Sequence, residues 1–377
     1  MRLPTCEMRR ATALFTVVVW LLVVCAGARA FGQSPRQAGE GAQQLASLGE
    51  FTLQSGAVLH DFRIGYRTLG KLNEDKSNAV LWPTWLGGKT DDLLQFIGPE
   101  KVVDSSKYFV ILVDSIGNGI STSPSNSATQ PRMKFPNFSI RDMVESEHRL
   151  VTDVLQLRHV HAVMGLSMGG MQTFEWAVVH PEFMDVTIPM EGSPQSTSYD
   201  KLLWASEIDA IELDPAWKNG NPTGAMSRGI ALAEEIDSMN LTSPAYRAAH
   251  TKAADFENFL GEIRKSGRSE AGAVSDQIRQ REAIMALDIP REFGVTLEQA
   301  AKRVRSKMLV IVSPEDHMVN PAPAVEFASA IGAPVVNLDS PCGHLSLSCI
   351  SVGPIVALFL ANPASVRSQT LKDPSSR

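Results

Sequence analysis

The tightest constraint on this chain is a short stretch, Gly165-Leu166-Ser167-Met168-Gly169-Gly170, between an apolar run at His161–Leu166 and a helix-forming run from Gly169 to His180. A strand that turns straight into a helix crowds its own corner, and glycines at 165 and 169 let the backbone close up without Cβ clashes. A serine at that corner is pushed outward, with a helix N-terminus behind it to stabilise developing negative charge. The bland alternative is a glycine-rich turn without chemistry. Pattern and placement together favour a nucleophile.

Strand-like and helix-like stretches alternate around this corner. Val58–Tyr66 alternates like a half-buried strand, while Ala79–Leu86 and Tyr108–Val113 are short apolar runs of the kind that fill a parallel sheet. Ser139 is placed to cap a helix running from Arg141 to Gln156, and Pro181 stops the helix after the corner. Val186–Met190, Met308–Val312 and Val335–Leu338 read as further strands, and Leu345–Leu360 as a closing helix. The rhythm predicts a mostly parallel sheet flanked by helices. It breaks between 196 and 304, which is helical in composition and reads as a cap inserted between two parts of a core, 49–195 and 305–361. Residues 31–48 read as a polar spacer and 362–377 as a disordered polar tail.

A serine hydroxyl needs a base and an acid that orients it. Asp316 follows the strand ending at Val312, and His344 follows the strand ending at Leu338. Both therefore fall on the edge of the sheet that carries Ser167, where ligands of such sheets bind. Glu315 is the rival acid, and His317 a weaker base because it adjoins the acid in sequence. The oxyanion of an acyl-transfer intermediate would be met by the backbone N–H of Met168 and by one from the Pro83–Gly88 loop, with Trp85 first and Leu86 next.

The first 30 residues predict an export signal: Arg2, Arg9 and Arg10, an uncharged apolar run from Ala11 to Gly27, then Ala28-Arg29-Ala30 as the cleavage site. An uncleaved membrane anchor is the alternative, and lipid attachment at Cys25 a weaker one because Val24 precedes it. Cleavage implies a periplasmic or extracellular protein without stable membrane association. It leaves Cys342 and Cys349, which either bridge across His344 or stay as free thiols. Removal of residues 1–30 takes four of 35 basic residues and one of 41 acidic ones, so the remainder is acidic. No basic face offers itself to nucleic acid.

Several stretches resemble the homoserine O-acetyltransferase group of the α/β-hydrolase fold: Ser55-Gly56, Tyr66 to Asn73, Tyr108-Phe109-Val110 with Gly117-Asn118-Gly119, Gly165 to Gln172 with Glu175-Trp176-Ala177, and Ala210 to Trp217. The resemblance implies an α/β-hydrolase core with a helical cap and a two-step reaction in which Ser167 is acylated and the acyl group then passes on. It departs where that group binds its amino-acid acceptor. An arginine that meets the substrate carboxylate is matched here by Ile208, and an acidic residue after the catalytic histidine by Leu345. A zwitterion left unpaired between apolar side chains costs on the order of several kcal/mol.

Three functions follow as expectations. A carboxyl-ester or acyl hydrolase acting on a small-molecule ester comes first, since water is the abundant acceptor outside the membrane. An O-acyltransferase with an acceptor other than homoserine comes second, and only then would acetyl-CoA serve as donor. A catalytically silent binding protein comes third. No cofactor or metal is called for in any of them, and a homodimer would be in keeping with the resemblance.

Overall fold

The computed structural model describes residues 40–222, 228–266 and 271–374. The expected export segment, residues 1–30, lies outside them. The described chain builds a ten-stranded sheet whose path runs β1-β2-β4-β3-β5-β6-β8-β9-β10, with β7 paired to β6. In chain order these are β1 Gln44–Thr52, β2 Val58–Leu69, β3 Ala79–Pro83, β4 Phe109–Asp114, β5 Val160–Leu166, β6 Met184–Met190, β7 Lys307–Met308, β8 Val310–Val312, β9 Val335–Asp339 and β10 Gln369–Lys372. β1, β2 and β4 pair antiparallel; every other pairing is parallel.

β3 is buried at every position, and so is β4 after Phe109, because helices cover both faces of the sheet centre. One layer packs Ile140, Met143 and Phe174 against Leu81 and Val163; the other packs Val356 and Phe359 against Val80 and Ala162. Ser139 caps the helix Ile140–Arg149 as expected, its hydroxyl accepting from Asp142 N (3.1 Å) while Asp142 accepts from Ser139 N (2.8 Å). From Leu150 to Val154 that helix widens into a π turn. Between β6 and β7 the described elements are all helical, the longest being Ser198–Glu212, Arg228–Leu241 and Ala271–Ala286. Ile211, Ile230, Val274 and Ile278 give this region a small core of its own.

Three expectations need correction. Residues 31–48 do not remain a spacer to their end, since β1 begins at Gln44. It is an edge strand that buries only Ala46, Leu48 and Phe51, so its polar face masks it in sequence. The 362–377 tail is ordered over its described part: Val366 is buried and β10 extends the sheet beside β9. That pairing is made by backbone, and only Leu371 of β10 turns a side chain to the core, which leaves no hydrophobic pattern to read. The closing helix is two helices, Ser346–Cys349 and Gly353–Ala361, and the segment Gly343–Cys349 meets the second at 81°. Pro354 cannot donate to a preceding carbonyl but suits the first turn of a new helix.

Candidate active site

Ser167 sits at the end of β5 with φ 58° and ψ −121°, a conformation a side-chain-bearing residue rarely holds. The turn is tight enough to require its glycines: a Cβ on Gly165 would lie 2.1 Å from the carbonyl oxygen of Gly169, and one on Gly169 would lie 2.6 Å from that of Pro83. Ser167 N donates to Met190 O (2.9 Å), which fixes the corner to β6.

The loops after β8 and β9 converge on this corner. Ser167 Oγ lies 2.8 Å from His344 Nε2, and His344 Nδ1 lies 2.7 Å from Asp316 Oδ2. A carboxylate can only accept, so Nδ1 carries the ring proton and Nε2 is left to accept from the serine hydroxyl. Asp316 Oδ1 is held by the N–H groups of Met318 and Val319, both at 2.9 Å. Burial of the ring disfavours the imidazolium, but the charge and hydrogen bond of Asp316, with the charge of Asp237, outweigh it and raise the His344 pKa. Of the two rival acids, Asp316 is the one hydrogen-bonded to His344. Glu315 is exposed, and its Oε2 lies 4.0 Å from His317 Nε2.

On the other side of Ser167, the loop after β3 is pinned at both ends. Thr84 N donates to Val113 O (3.0 Å) and Gly87 N to Gln280 Oε1 (2.8 Å), while the N–H groups of Trp85 and Leu86 between them make no hydrogen bond among the described residues. Met168 opens the helix Met168–Val179. Gln172, fully buried on that helix, donates to Thr84 O (3.1 Å) and Met168 O (3.2 Å) and so ties both sides of the expected oxyanion site together. The Trp85 indole packs edge-on against Phe96, and Leu86 packs against the main core. A cavity of about 480 Å³ adjoins this loop, lined by Gly87, Asn118, Ser125, Asp276 and Gln280. Burial pushes the Asp276 carboxyl up to about 6.

Ile208 packs against the cap's own core, and Leu345, immediately after His344, is 38% exposed. Cys342 and Cys349 form a disulfide with Cα atoms 6.6 Å apart, closing a loop around His344. A larger, apolar groove of about 660 Å³ lies among the cap helices, lined by Leu232, Met239, Phe256 and Leu260. None of Ser167, Asp316 and His344 lines it.

Two features went unread in the sequence. Glu191, directly after β6, is 2% exposed with φ 46°, and its carboxyl faces the backbone N–H groups of Ser346 and Leu347 without closing a full hydrogen bond to a described residue. Burial, and then the charge of Asp316, raise its pKa well above the usual range. A carboxylic acid following a run as apolar as Thr187–Met190 was the signal available. The second is a support for the His344 loop from the C-terminal strand: Ser340 Oγ donates to Asp373 Oδ2 (2.9 Å), and Cys342 N to Ser340 Oγ (3.2 Å).

The sheet, the serine corner and the loops above it define an α/β-hydrolase, and residues 87–225 match the family model of that fold. A homoserine O-acetyltransferase of Nautilia profundicola is 32% identical over 295 residues, covering 69% of this chain and 80% of that protein. The chain therefore belongs to the homoserine O-acetyltransferase-like family of α/β-hydrolase enzymes. A probable esterase of Corynebacterium glutamicum is 39% identical over 184 residues, 48% of this chain and 53% of the relative, so the match spans about half of that protein's length. A solved acetylester hydrolase from the same species superposes with TM-score 0.76 at 28% identity, covering 85% of this chain and 95% of that one.

Proposed function

We propose that this chain is an exported carboxyl-ester hydrolase in which Ser167 is the nucleophile, His344 the general base and Asp316 the acid that orients it. The observation that carries this is the unbroken hydrogen-bond chain Ser167–His344–Asp316, at 2.8 and 2.7 Å, ending on a serine held at a strained corner. Ser167 Oγ attacks the ester carbonyl carbon while its proton passes to His344 Nε2. The carbonyl oxygen becomes an oxyanion, met by the N–H of Met168 and by that of Trp85 or Leu86. His344 then gives its proton to the departing alcohol oxygen and the C–O bond breaks, leaving an acyl-Ser167. Water, deprotonated by the same nitrogen, releases the acid and restores the serine. Asp316 stays ionised throughout, steadying the imidazolium.

Hydrolysis is favoured over transfer to an amino acid because Ile208 and Leu345 replace the charged partners that the family resemblance would place there. The likeness to an esterase and an acetylester hydrolase supports the same direction. Transfer to another acceptor is the second reading, supported by the homoserine O-acetyltransferase relative. Export rests on residues 1–30, and detection of a chain beginning near residue 31 outside the inner membrane would support it. The test of activity is turnover of a short-chain nitrophenyl ester by the purified chain from residue 31 onward, with and without homoserine, and of acetyl-CoA with the same acceptor. Acceptor-independent ester hydrolysis is expected. Turnover of acetyl-CoA that requires an acceptor would replace this reading with the second, and silence on all donors would remove both.

A further inference from the structure

Away from the catalytic group, two core helices bring a second set of donor side chains together. Glu145 and His148 lie three residues apart on the helix Ile140–Arg149 and so share one of its faces. His180 closes the C-terminal end of the helix Met168–Val179, which packs against the first. One donor atom from each of the three residues lies within 4.8 Å of the other two. Ser167 stands at the opposite end of the helix that His180 closes, about 20 Å along its axis.

The three side chains are held in place without being paired off. The rings of His148 and His180 stack with centroids 4.1 Å apart and planes 3° from parallel. Trp176 packs 5.7 Å from His148 and 5.1 Å from His180, and its indole N–H is anchored by donating to the buried Glu147 Oε2 (2.7 Å). Phe183 packs edge-on against His148 at 5.0 Å. His180 Nε2 is shielded from water and faces Glu145 Oε1 at 3.4 Å without closing a full hydrogen bond to a described residue. The Glu145 side chain is 38% exposed, which leaves a hydrated ion a way in.

Two imidazoles and one carboxylate form a donor set that zinc accepts, with water in the fourth position. Donors around a tetrahedral zinc sit about 3.3–3.6 Å apart when each bond is about 2.0–2.2 Å. The separation of 3.4 Å between His180 and Glu145 already meets that spacing. The parallel rings do not converge on one centre as they stand, so closure requires the His148 ring to turn out of the stack, a change in its side-chain torsions alone. Two nitrogen donors disfavour Ca²⁺ and Mg²⁺, which take oxygen ligands.

We propose that Glu145, His148 and His180 bind one divalent cation of the zinc type, which braces the helix Ile140–Arg149 against the helix that carries the Met168 N–H. The role is structural, since the ion meets neither Ser167 nor the ester.

The experiment takes the purified protein without a histidine tag, strips it of metal with a chelator, and titrates it with Zn²⁺ alone, reading stoichiometry by calorimetry and the melting temperature. One ion per chain is expected, and at about 100 times its dissociation constant the melting temperature should rise by about 4 °C. The rise should be lost in His148→Phe, which keeps a ring in the stack but offers no nitrogen, and should fall in Glu145→Gln. Co²⁺ in place of Zn²⁺ should give the visible absorption of a four-coordinate site in the wild-type protein and not in His148→Phe. Absence of a saturable Zn²⁺ site in the wild-type protein overturns the inference. A rise unchanged in either folded variant overturns it equally, since the ion would then sit elsewhere, as at His159, His161 and Asp185. Ester turnover is measured beside these and decides the hydrolytic reading separately.

Discussion

Replacing both Cys342 and Cys349 by alanine tests how the loop carrying His344 is held. The bridge closes a loop of only eight residues, from 342 to 349. The chain-entropy relation for a loop of about eight residues gives ~2.5 kcal/mol of lost stability. For a folded body of about 330 residues the unfolding entropy is ~0.7 kcal/mol/K, so the melting temperature should fall by ~3–4 °C. Catalysis should suffer separately. Asp316 still grips the ring at 2.7 Å and Asp373 still supports Ser340, so kcat/KM should drop by no more than ~10-fold, or ~1.4 kcal/mol in the barrier. Differential scanning calorimetry and ester turnover on the double variant, beside wild-type enzyme with and without reductant, measure both. A melting temperature unchanged within ~1 °C, in protein whose unreduced mass shows the wild-type bridge formed, would refute the claim that this loop is stabilised by its crosslink.

Other consequences can be checked in parallel. Glu191 is raised above its ordinary value of 4.5, so the folded protein holds its proton where the unfolded chain has lost it, and stability drains away as pH climbs from about 4.5. Glu191→Gln, which stays neutral, should therefore gain melting temperature relative to wild type as pH rises above about 4.5; a flat difference would show that Glu191 ionises normally. Asp373→Ala, or truncation before β10, should lower kcat more than it raises KM, because it loosens Ser340 and Cys342 beneath His344; unaltered kinetics would make β10 a mere edge of the sheet. Asp237 helps raise the His344 pKa, so Asp237→Asn should move the acid limb of the kcat/KM profile to lower pH, and an unmoved limb would separate the two groups.

What could be read in advance followed from local chain chemistry. The Ser167 corner is a strand, a turn and a helix written in consecutive residues, and its glycines are demanded by backbone contacts within that same stretch. Asp316 and His344 were legible because each lies on the loop that follows a strand of the sheet, β8 and β9. The choice of Asp316 over Glu315 was not, since one position turns a side chain from the imidazole to solvent. β1 and β10 escaped because an edge strand needs few apolar residues, and β10 offers the core only Leu371 beside its backbone pairing. Glu145, His148 and His180 come from two separate helical stretches, and only their packing brings those donor atoms together.

In the proposed mechanism one serine hydroxyl is made nucleophilic by one imidazole. Peptide mass mapping after treatment with an ester-mimicking organophosphate such as diethyl nitrophenyl phosphate tests this. A single covalent adduct is expected on Ser167 in the wild-type enzyme, formed orders of magnitude more slowly in His344→Ala and at the ordinary rate in His317→Ala. An adduct on another residue, or labelling of Ser167 indifferent to the loss of His344, would contradict it.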